Sequence, residues 1–521
     1  TTARRKFQPT LFVPVKKQTQ FKSLDGKFLT PVVQESIKEA KEFVDRYKSQ
    51  PGMVYGFTRW PYQWISDTFK GEVQWDMSKI MVATMDIETE SEHGFPQVDN
   101  PIERVLSITL KNHSTKKFVV FGLHSYQTDR EDVTYIKCDN EDDLLRRFLS
   151  FWETNMPDVL TGWNTRFFDL PYLINRIKVR LGEDEIKRLS PWKAVFNDNV
   201  FKMGRNHTAF DIIGVSQLDY LELYQKYTYS AQESYTLDHI GFVELGKQKD
   251  KNPYETFRDW YTKDYQSFID YNIMDVELVD ALEDKMKLID LHITMAYFAK
   301  CNYNDVFSQV KMWDIIMYNF LRKKNIQIPM LHKQEKSEAY AGAYVKDPQV
   351  GLHKWVVSFD LNSLYPHLMM QYNISPETIV GMSETHPGVD NMLSKSYDTS
   401  SIKDVNQTIT PNGALFSRDK HGFLPELMHK MYSDRSATKK QMLQASQQYE
   451  STGDVKYKNM IPKLHNKQMA LKIALNSAYG AVGNQYFRFY DIRIAEAVTY
   501  GGQLSIRWIE KALNEYFNEI L

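Results

Sequence analysis

Cysteine is scarce in this sequence: Cys138 and Cys301 are the only two among 521 residues. Two thiols cannot staple a chain of that length, which excludes a disulfide framework and fits a reducing, cytoplasmic compartment. Long apolar runs are missing too. No uninterrupted stretch approaches the roughly 18 residues that a membrane-spanning helix needs, so no membrane association is expected. Nor is there an excess of either charge, because 65 Lys and Arg stand against 66 Asp and Glu. A uniformly basic, histone-like protein is thereby excluded, while a local basic patch is not. Internal repeats and low-complexity tracts are absent, which argues against a solenoid or a disordered tail. The chain opens on Thr1-Thr2 with neither an initiator Met nor a signal peptide, so a longer gene product is expected. What remains is ordinary globular composition, 42% hydrophobic and 25% charged. At roughly 150 residues per domain the length suggests about three or four domains.

Hydrophobic periodicity organises the chain. Residues 1–80 carry short apolar runs and one amphipathic helix, over about 35–47. Strands are expected over 80–87, 105–110, 118–123 and 159–163, alternating with helices over about 140–152 and from about Pro171. That alternation describes an α/β domain. A long helix follows Lys263 and reaches about Lys287, with further helix through Trp313 and Leu321. A second strand-rich unit is expected from about Ala343, with Trp355 to Phe359 as a buried strand. Residues 383–412, rich in Ser, Thr, Asn, Asp and Gly, read as an exposed loop. Two helices over about 424–448 and 457–478 read as an antiparallel pair, and a last helix runs from about Ile494 to the end.

Asp86-Ile87-Glu88 ends the first apolar run, and on a strand residues i and i+2 share a face. The Asp-x-Glu pattern occurs four times here, so alone it marks no more than a strand leaving the core. Its company gives it weight. Leu160-Thr-Gly-Trp-Asn164 ends another strand, Asp169 stands at a helix start, and Tyr271 and Asp275 lie one helical turn apart on one face. Four converging acids would repel one another unless cations neutralised them. Two Mg²⁺ ions roughly 3.5–4 Å apart would do so, in-line across a phosphodiester, with Tyr271 orienting the attacking water.

A second constellation lies further on. Val356 to Asp360 reads as a strand ending in an acid, followed by Leu361-Asn362-Ser363-Leu364-Tyr365-Pro366. A carboxylate at a strand end, then a turn with free N–H groups, suits a metal ion and a phosphate. Tyr365 would lie beneath a sugar and clash with a ribose 2′-hydroxyl. Between Lys430 and Lys472 nine Lys or Arg stand against three Asp or Glu. Arg435 and Lys439 share a helix face, as do Lys472 and Asn476, and together they would hold a triphosphate. Tyr479-Gly480, a turn further, would stack under a base pair.

With these motifs assembled, the sequence resembles family B DNA polymerases, and among them the replicative polymerases of T-even-type bacteriophages. The resemblance covers nearly the whole chain. It rests on the three acid motifs around Asp86, Asp169 and Asp275, on Tyr340-Ala-Gly-Ala-Tyr344, on Asp360 to Pro366 and on Lys472 to Gly480. It rests also on Asn373-Ile-Ser-Pro-Glu-Thr378 and Phe487-Arg-Phe-Tyr-Asp-Ile-Arg493. The implied fold is multidomain α/β and α+β: a ribonuclease H-like 3′→5′ exonuclease joined to a partial palm and helical fingers. By resemblance the N-terminal domain covers 1–80 and returns at 288–331, the exonuclease 81–287, the palm 332–421 and 485–521, and the fingers 422–484. The resemblance makes Asp86, Glu88, Asp169 and Asp275 exonuclease metal ligands, assisted by Tyr271 and Asn164. It gives the polymerase metals to Asp360 and Leu361, the phosphate cradle to Ser363, Leu364 and Tyr365, and the triphosphate to Arg435, Lys439, Lys472 and Asn476. Tyr340, Gly342, Tyr479 and Gly480 would touch DNA. The implied cofactor is Mg²⁺, two per site, with Mn²⁺ as substitute, and the implied ligands are primer-template DNA, single-stranded DNA and dNTPs.

One departure stands out. The family places a second palm carboxylate in an Asp-Thr-Asp hairpin, and no Asp-Thr-Asp occurs in this sequence. The family's thumb and clamp-binding tail have no counterpart here either. The expectation is therefore a proofreading polymerase whose second palm acid, and any sliding-clamp contact, come from a second polypeptide or from residues beyond these. A stand-alone 3′→5′ exonuclease and an idle DNA-binding remnant are the alternatives. Neither has a use for Arg435, Lys439, Lys472 and Asn476.

Overall fold

Val82 to Met85 is an unbroken buried run, and the strand it opens, Val82–Thr89, lies inside a six-stranded mixed sheet. The computed structural model describes residues 6–202, 204–249, 252–332, 342–397 and 406–520. This sheet belongs to one of its two compact units, Gln74–Ile293. Across it the strands run Ser216–Gln217, Val159–Thr161, Val82–Thr89, Val105–Asn112, Phe118–Gly122 and Val133–Lys137. Val82–Thr89 is parallel to Val159–Thr161 and antiparallel to Val105–Asn112, so both of its edges are hydrogen-bonded. Burial on both faces explains its continuous hydrophobic pattern. Asp86 pairs with Thr109 and Glu88 with Ser107, and the register slips just after Glu88. Such a slip bends a strand and re-aims its side chains.

Helices Glu141–Thr154, Asp169–Leu181 and Tyr265–Met286 belong to this unit. Asn140 starts the first by accepting the Asp143 N–H, and Asp264 starts the third by accepting the Ser267 N–H. Met85, Ile87, Ile108, Leu145, Phe148, Leu173, Phe268 and Ile273 share one core. Burying each such side chain contributes about 1.5–3 kcal/mol relative to exposure. A hairpin, Val195–Lys202 with Arg205–Ile212, is also present, and periodicity gave no sign of it.

The second unit joins Arg4–Val73 to Thr294–Leu521. Thr10–Pro14, Phe28–Val33 and Phe21–Ser23 form a sheet completed by Ile326–Gln327. The helix expected through Leu321 is interrupted: Leu288–Ala299 ends before a short turn, and Gln309–Arg322 follows. Phe423–Thr452 and Val455–Val482 form the expected helical hairpin, turning on Gly453 at φ 68°. Asp454 caps the second helix by accepting the Lys456 N–H. The Trp313 indole donates to Ser477 Oγ at 3.0 Å, and a buried ion pair joins Arg488 to Asp314 at 2.7 Å. The last helix is Ile492–Ile520.

Two expectations are corrected. Trp355 to Phe359 is not a buried strand: residues 342–363 contain no helix or strand, and Trp355 is 94% exposed. A strand is stable only when its N–H and C=O groups are paired, and among the described residues nothing pairs with this one. The strands of this region are Ile379–Met382, Ala414–Ser417 and Gln407–Ile409. Residues 383–412 are not one exposed loop either. They include helix Val389–Leu393 and strand Gln407–Ile409, and Thr410 and Asn412 are buried. Their polar side chains are satisfied internally, Thr410 by Asn412 at 2.7 Å and Asn412 by the Arg493 carbonyl at 3.0 Å.

Candidate active site

Asp86, Glu88 and Asp275 each present a carboxylate oxygen within 4.8 Å of the others. Among the described residues they are the only three acids, histidines or cysteines grouped so closely. The strand delivers the first two through its period of two, and helix Tyr265–Met286 delivers the third. Asp169 stands apart from that trio. Its carboxylate accepts the Ile87 N–H at 3.1 Å, between the two strand acids. The ordinary alternative for Asp169, capping its own helix, does not hold, because Phe168 is the N-cap and no side chain caps it.

Each acid of the set ionises less readily than usual. Burial raises the Asp86 carboxyl well above its usual range, and the charges of Asp169, Asp275 and Glu88 raise it further. Burial and then Asp275 do the same to Glu88. Burial lifts Asp169 to about 7, against the opposing Ile87 hydrogen bond. Asp275 also sits high through burial, although Lys249 pulls it down.

Lys249 was not expected at this site. Its ammonium donates to Asp275 Oδ2 at 2.5 Å and to the Tyr271 hydroxyl at 3.2 Å, and lies 5.0 Å from the Tyr271 ring centroid. Burial opposes its charge, but the Asp275 and Tyr271 oxygens more than offset that and hold it protonated. No spacing announces a lysine from a separate segment, so sequence reasoning had no route to it. The remaining oxygen, Asp275 Oδ1, is buried without a hydrogen-bond partner. An orphaned carboxylate oxygen beside two further acids is what a divalent cation requires of its ligands, so the residues present fit one.

The Leu160-Thr-Gly-Trp-Asn164 segment turns sharply beside the strand acids. A Cβ on Gly162 would collide with Thr165 and with the Met85 carbonyl oxygen, so only glycine permits this approach. Asn164 follows at φ 64°. Asp219, also missed in the sequence, fixes the turn by accepting the N–H groups of Asn164 at 3.2 Å and Arg166 at 2.9 Å.

In the second unit Asp360 and Leu361 are exposed, and Asp360 has no hydrogen-bond or ion-pair partner among the described residues. Ser363 takes a left-handed conformation, φ 53°, at the start of helix Leu364–Tyr372, and no side chain caps that helix. The N-terminal end of a helix favours an anion. The Tyr365 ring lies 4.9 Å from that of Tyr479, and a Cβ on Gly502 would sit 2.9 Å from Tyr365 Cε1. Arg435 and Lys439 lie on the first helix of the hairpin, Lys472 and Asn476 on the second. Arg435 Nε is buried without a partner, whereas nearby Lys430 and Lys467 are paired with Asp434 and Glu72. Gly480 faces Gln309, whose Oε1 would be 2.6 Å from a Cβ there. The Gly342 carbonyl accepts from Gln503 at 2.8 Å, and Tyr340 lies outside the described residues. No helix among the described residues is long and apolar enough to cross a membrane.

Comparison with known proteins points the same way. Residues 61–240 match the exonuclease domain of DNA polymerase family B, and residues 305–520 match DNA polymerase family B. Tyr271 and Asp275 fall between the two matches. The DNA-directed DNA polymerase of Escherichia phage RB69 is 32% identical over 99% of this chain and 64% of its own length. That of Enterobacteria phage T4 is 30% identical with the same coverage. The DNA polymerase delta catalytic subunit of Candida albicans is 27% identical over 86% of this chain and 43% of its own length. The chain thus spans 64% of the length of the two phage relatives.

Proposed function

This chain belongs to DNA polymerase family B, and from that membership we propose that it serves DNA replication as a DNA-directed DNA polymerase with a 3′→5′ proofreading exonuclease. The observation that carries the exonuclease reading is the grouping of Asp86, Glu88 and Asp275 beside an orphaned Asp275 oxygen. These three would hold the divalent cation, Mg²⁺ in the cell, with Asp169 nearby. When bound, that cation supplies Lewis acidity and a water of lowered pKa. The chain's own groups supply the rest. Tyr271 orients a water through its hydroxyl, and the turn at Asn164 presents the 3′ end of single-stranded DNA. Lys249 draws Asp275 toward its charged form against the effect of burial.

The polymerase assignment draws on the second unit. Asp360 would hold metal with the Leu361 carbonyl, and the backbone N–H groups of Ser363, Leu364 and Tyr365 would cradle a dNTP phosphate. Arg435, Lys439, Lys472 and Asn476 would grip the triphosphate, while Tyr479 and Gly480 contact the primer-template. Domain limits at 1–80, 81–287, 288–331, 332–421, 422–484 and 485–521 accompany this reading, with the host-cell cytoplasm as its location. Two-metal extension needs a second acid beside Asp360. We infer that a polypeptide segment outside these 521 residues supplies it. The exposed apolar side chains of Trp355 and Val356, a few residues before Asp360, support this, since apolar surface of that kind suits a covering partner.

The experiment pairs two assays on the same preparation. With Mg²⁺, the chain should digest 3′-labelled single-stranded DNA, yet show no primer extension. Extension should appear when a polypeptide bearing an Asp-Thr-Asp hairpin is added. Robust extension by the chain alone would overturn the missing-acid argument, and absence of digestion would overturn the exonuclease.

A further inference from the structure

Asn272 lies between Tyr271 and Asp275 on their helix but points elsewhere, being one residue and so about 100° round from Tyr271. It is fully buried. Its Nδ2 donates to Asp86 Oδ2 at 2.6 Å. Its Oδ1 accepts from Ser107 Oγ at 2.9 Å and from Thr109 Oγ1. Both hydroxyls are on strand Val105–Asn112, in register with Glu88 and Asp86 respectively, and both are fully buried.

The orientation of the amide is determined by this arrangement. As a metal ligand Asp86 must be ionised and is then an acceptor only, so an amide turned the other way would set oxygen against oxygen there. The two hydroxyls can donate to the amide oxygen, and with the amide held this way each does. One donor therefore faces one particular oxygen of one acid in the set. An amide carries no charge, so it constrains Asp86 without competing for the cation or adding to the repulsion among the acids. The hydroxyls satisfy only the amide oxygen, so the amide N–H is left to be satisfied by Asp86.

We propose that Asn272 is a positioning residue of the exonuclease site: braced by Ser107 and Thr109, it holds the Asp86 carboxylate in the orientation that binds a divalent cation. The proposal rests on the exonuclease reading above. Hydrogen-bonded partners of ligating carboxylates commonly set metal affinity by about 10- to 100-fold. Asn272 exerts that control from the helix that also carries Tyr271 and Asp275, so one rigid element fixes three groups of the site.

The test is Mn²⁺ titration of the full chain by electron paramagnetic resonance, without DNA, alongside thermal unfolding. Asn272→Ala should weaken Mn²⁺ binding about 10- to 100-fold while unfolding stays cooperative, and exonuclease turnover should fall in parallel. Binding within about twofold of the wild type would overturn the proposal. If Asn272→Ala does not fold, the double variant Ser107→Ala, Thr109→Val frees the amide oxygen and should weaken Mn²⁺ several-fold. Unchanged affinity in that variant overturns the proposal equally. Asp86→Ala separates the two claims. It should abolish Mn²⁺ binding at this site, and if it does not, the metal-site reading itself fails, whatever Asn272 does.

Discussion

Lys249 reaches Asp275 at 2.5 Å from within a set of four acids, and the same ammonium touches the Tyr271 hydroxyl. The chain thereby supplies part of its own neutralisation. Removing one partner of a buried ion pair costs roughly 3–5 kcal/mol, because the other charge is left uncompensated. Lys249→Met should therefore lower the unfolding temperature of the metal-free protein at pH 8. At lower pH the loss should be smaller, since burial favours protonation of the Asp275 carboxyl once its lysine is gone. A loss of equal size at both pH values would show that the lysine does not act through charge. Melting curves in EDTA decide it.

The acid set makes a second prediction, with a definite sign. Asp86, Glu88, Asp169 and Asp275 are all raised in the folded state, Asp169 to about 7. A raised carboxyl binds its proton more tightly when folded than unfolded. Its stabilisation is thus full below the unfolded value, near 4, and is lost as pH climbs through the folded one. At about 1.4 kcal/mol per unit, Asp169 alone would account for about 4 kcal/mol. Metal-free protein should lose stability as pH rises from about 4 to 7. Millimolar Mg²⁺ should flatten that dependence, and a metal-free profile that rises with pH would contradict it.

For the chemistry, Asp86→Ala with Glu88→Ala should abolish single-strand digestion while leaving DNA binding intact. If both strand acids hold metal as proposed, their loss removes cation and water activation together, a loss on the order of 10⁴-fold or more given what such cations contribute. Gel shifts on single-stranded DNA and release of labelled nucleotide check the two halves separately. Unchanged digestion rejects the assignment.

Much of this was legible in the sequence where a single local rule applied. The strand bearing Asp86 and Glu88 announced itself by its apolar run, and Tyr271 and Asp275 by helical spacing. The hairpin of basic helices was marked by Glu450 to Asp454, with Gly453 at the turn. Lys249, Asn272 and Asp219 were not legible, because each acts across the fold on a residue distant in the chain. No periodicity encodes such a meeting. The strand expected at Trp355 to Phe359 shows the converse. Its composition is strand-forming, but a strand also needs a neighbour, and composition says nothing about whether one is present.

The last prediction concerns sugar selection at Tyr365. Its ring is held between Tyr479, 4.9 Å away, and Gly502, where a Cβ would come within 2.9 Å of Cε1. A ring so confined cannot swing aside to admit an added hydroxyl, whereas a smaller side chain leaves the space open. Tyr365→Ala should therefore bring ribonucleoside triphosphate binding closer to that of the deoxy form, by about 10- to 100-fold, the range open to steric discrimination of one hydroxyl. Gly502→Ala should act through the same ring: the added methyl displaces Tyr365 and weakens both nucleotides while changing their ratio. Competition binding of matched dNTP and rNTP reads both variants. A ratio unaltered in Tyr365→Ala would remove this residue from sugar selection.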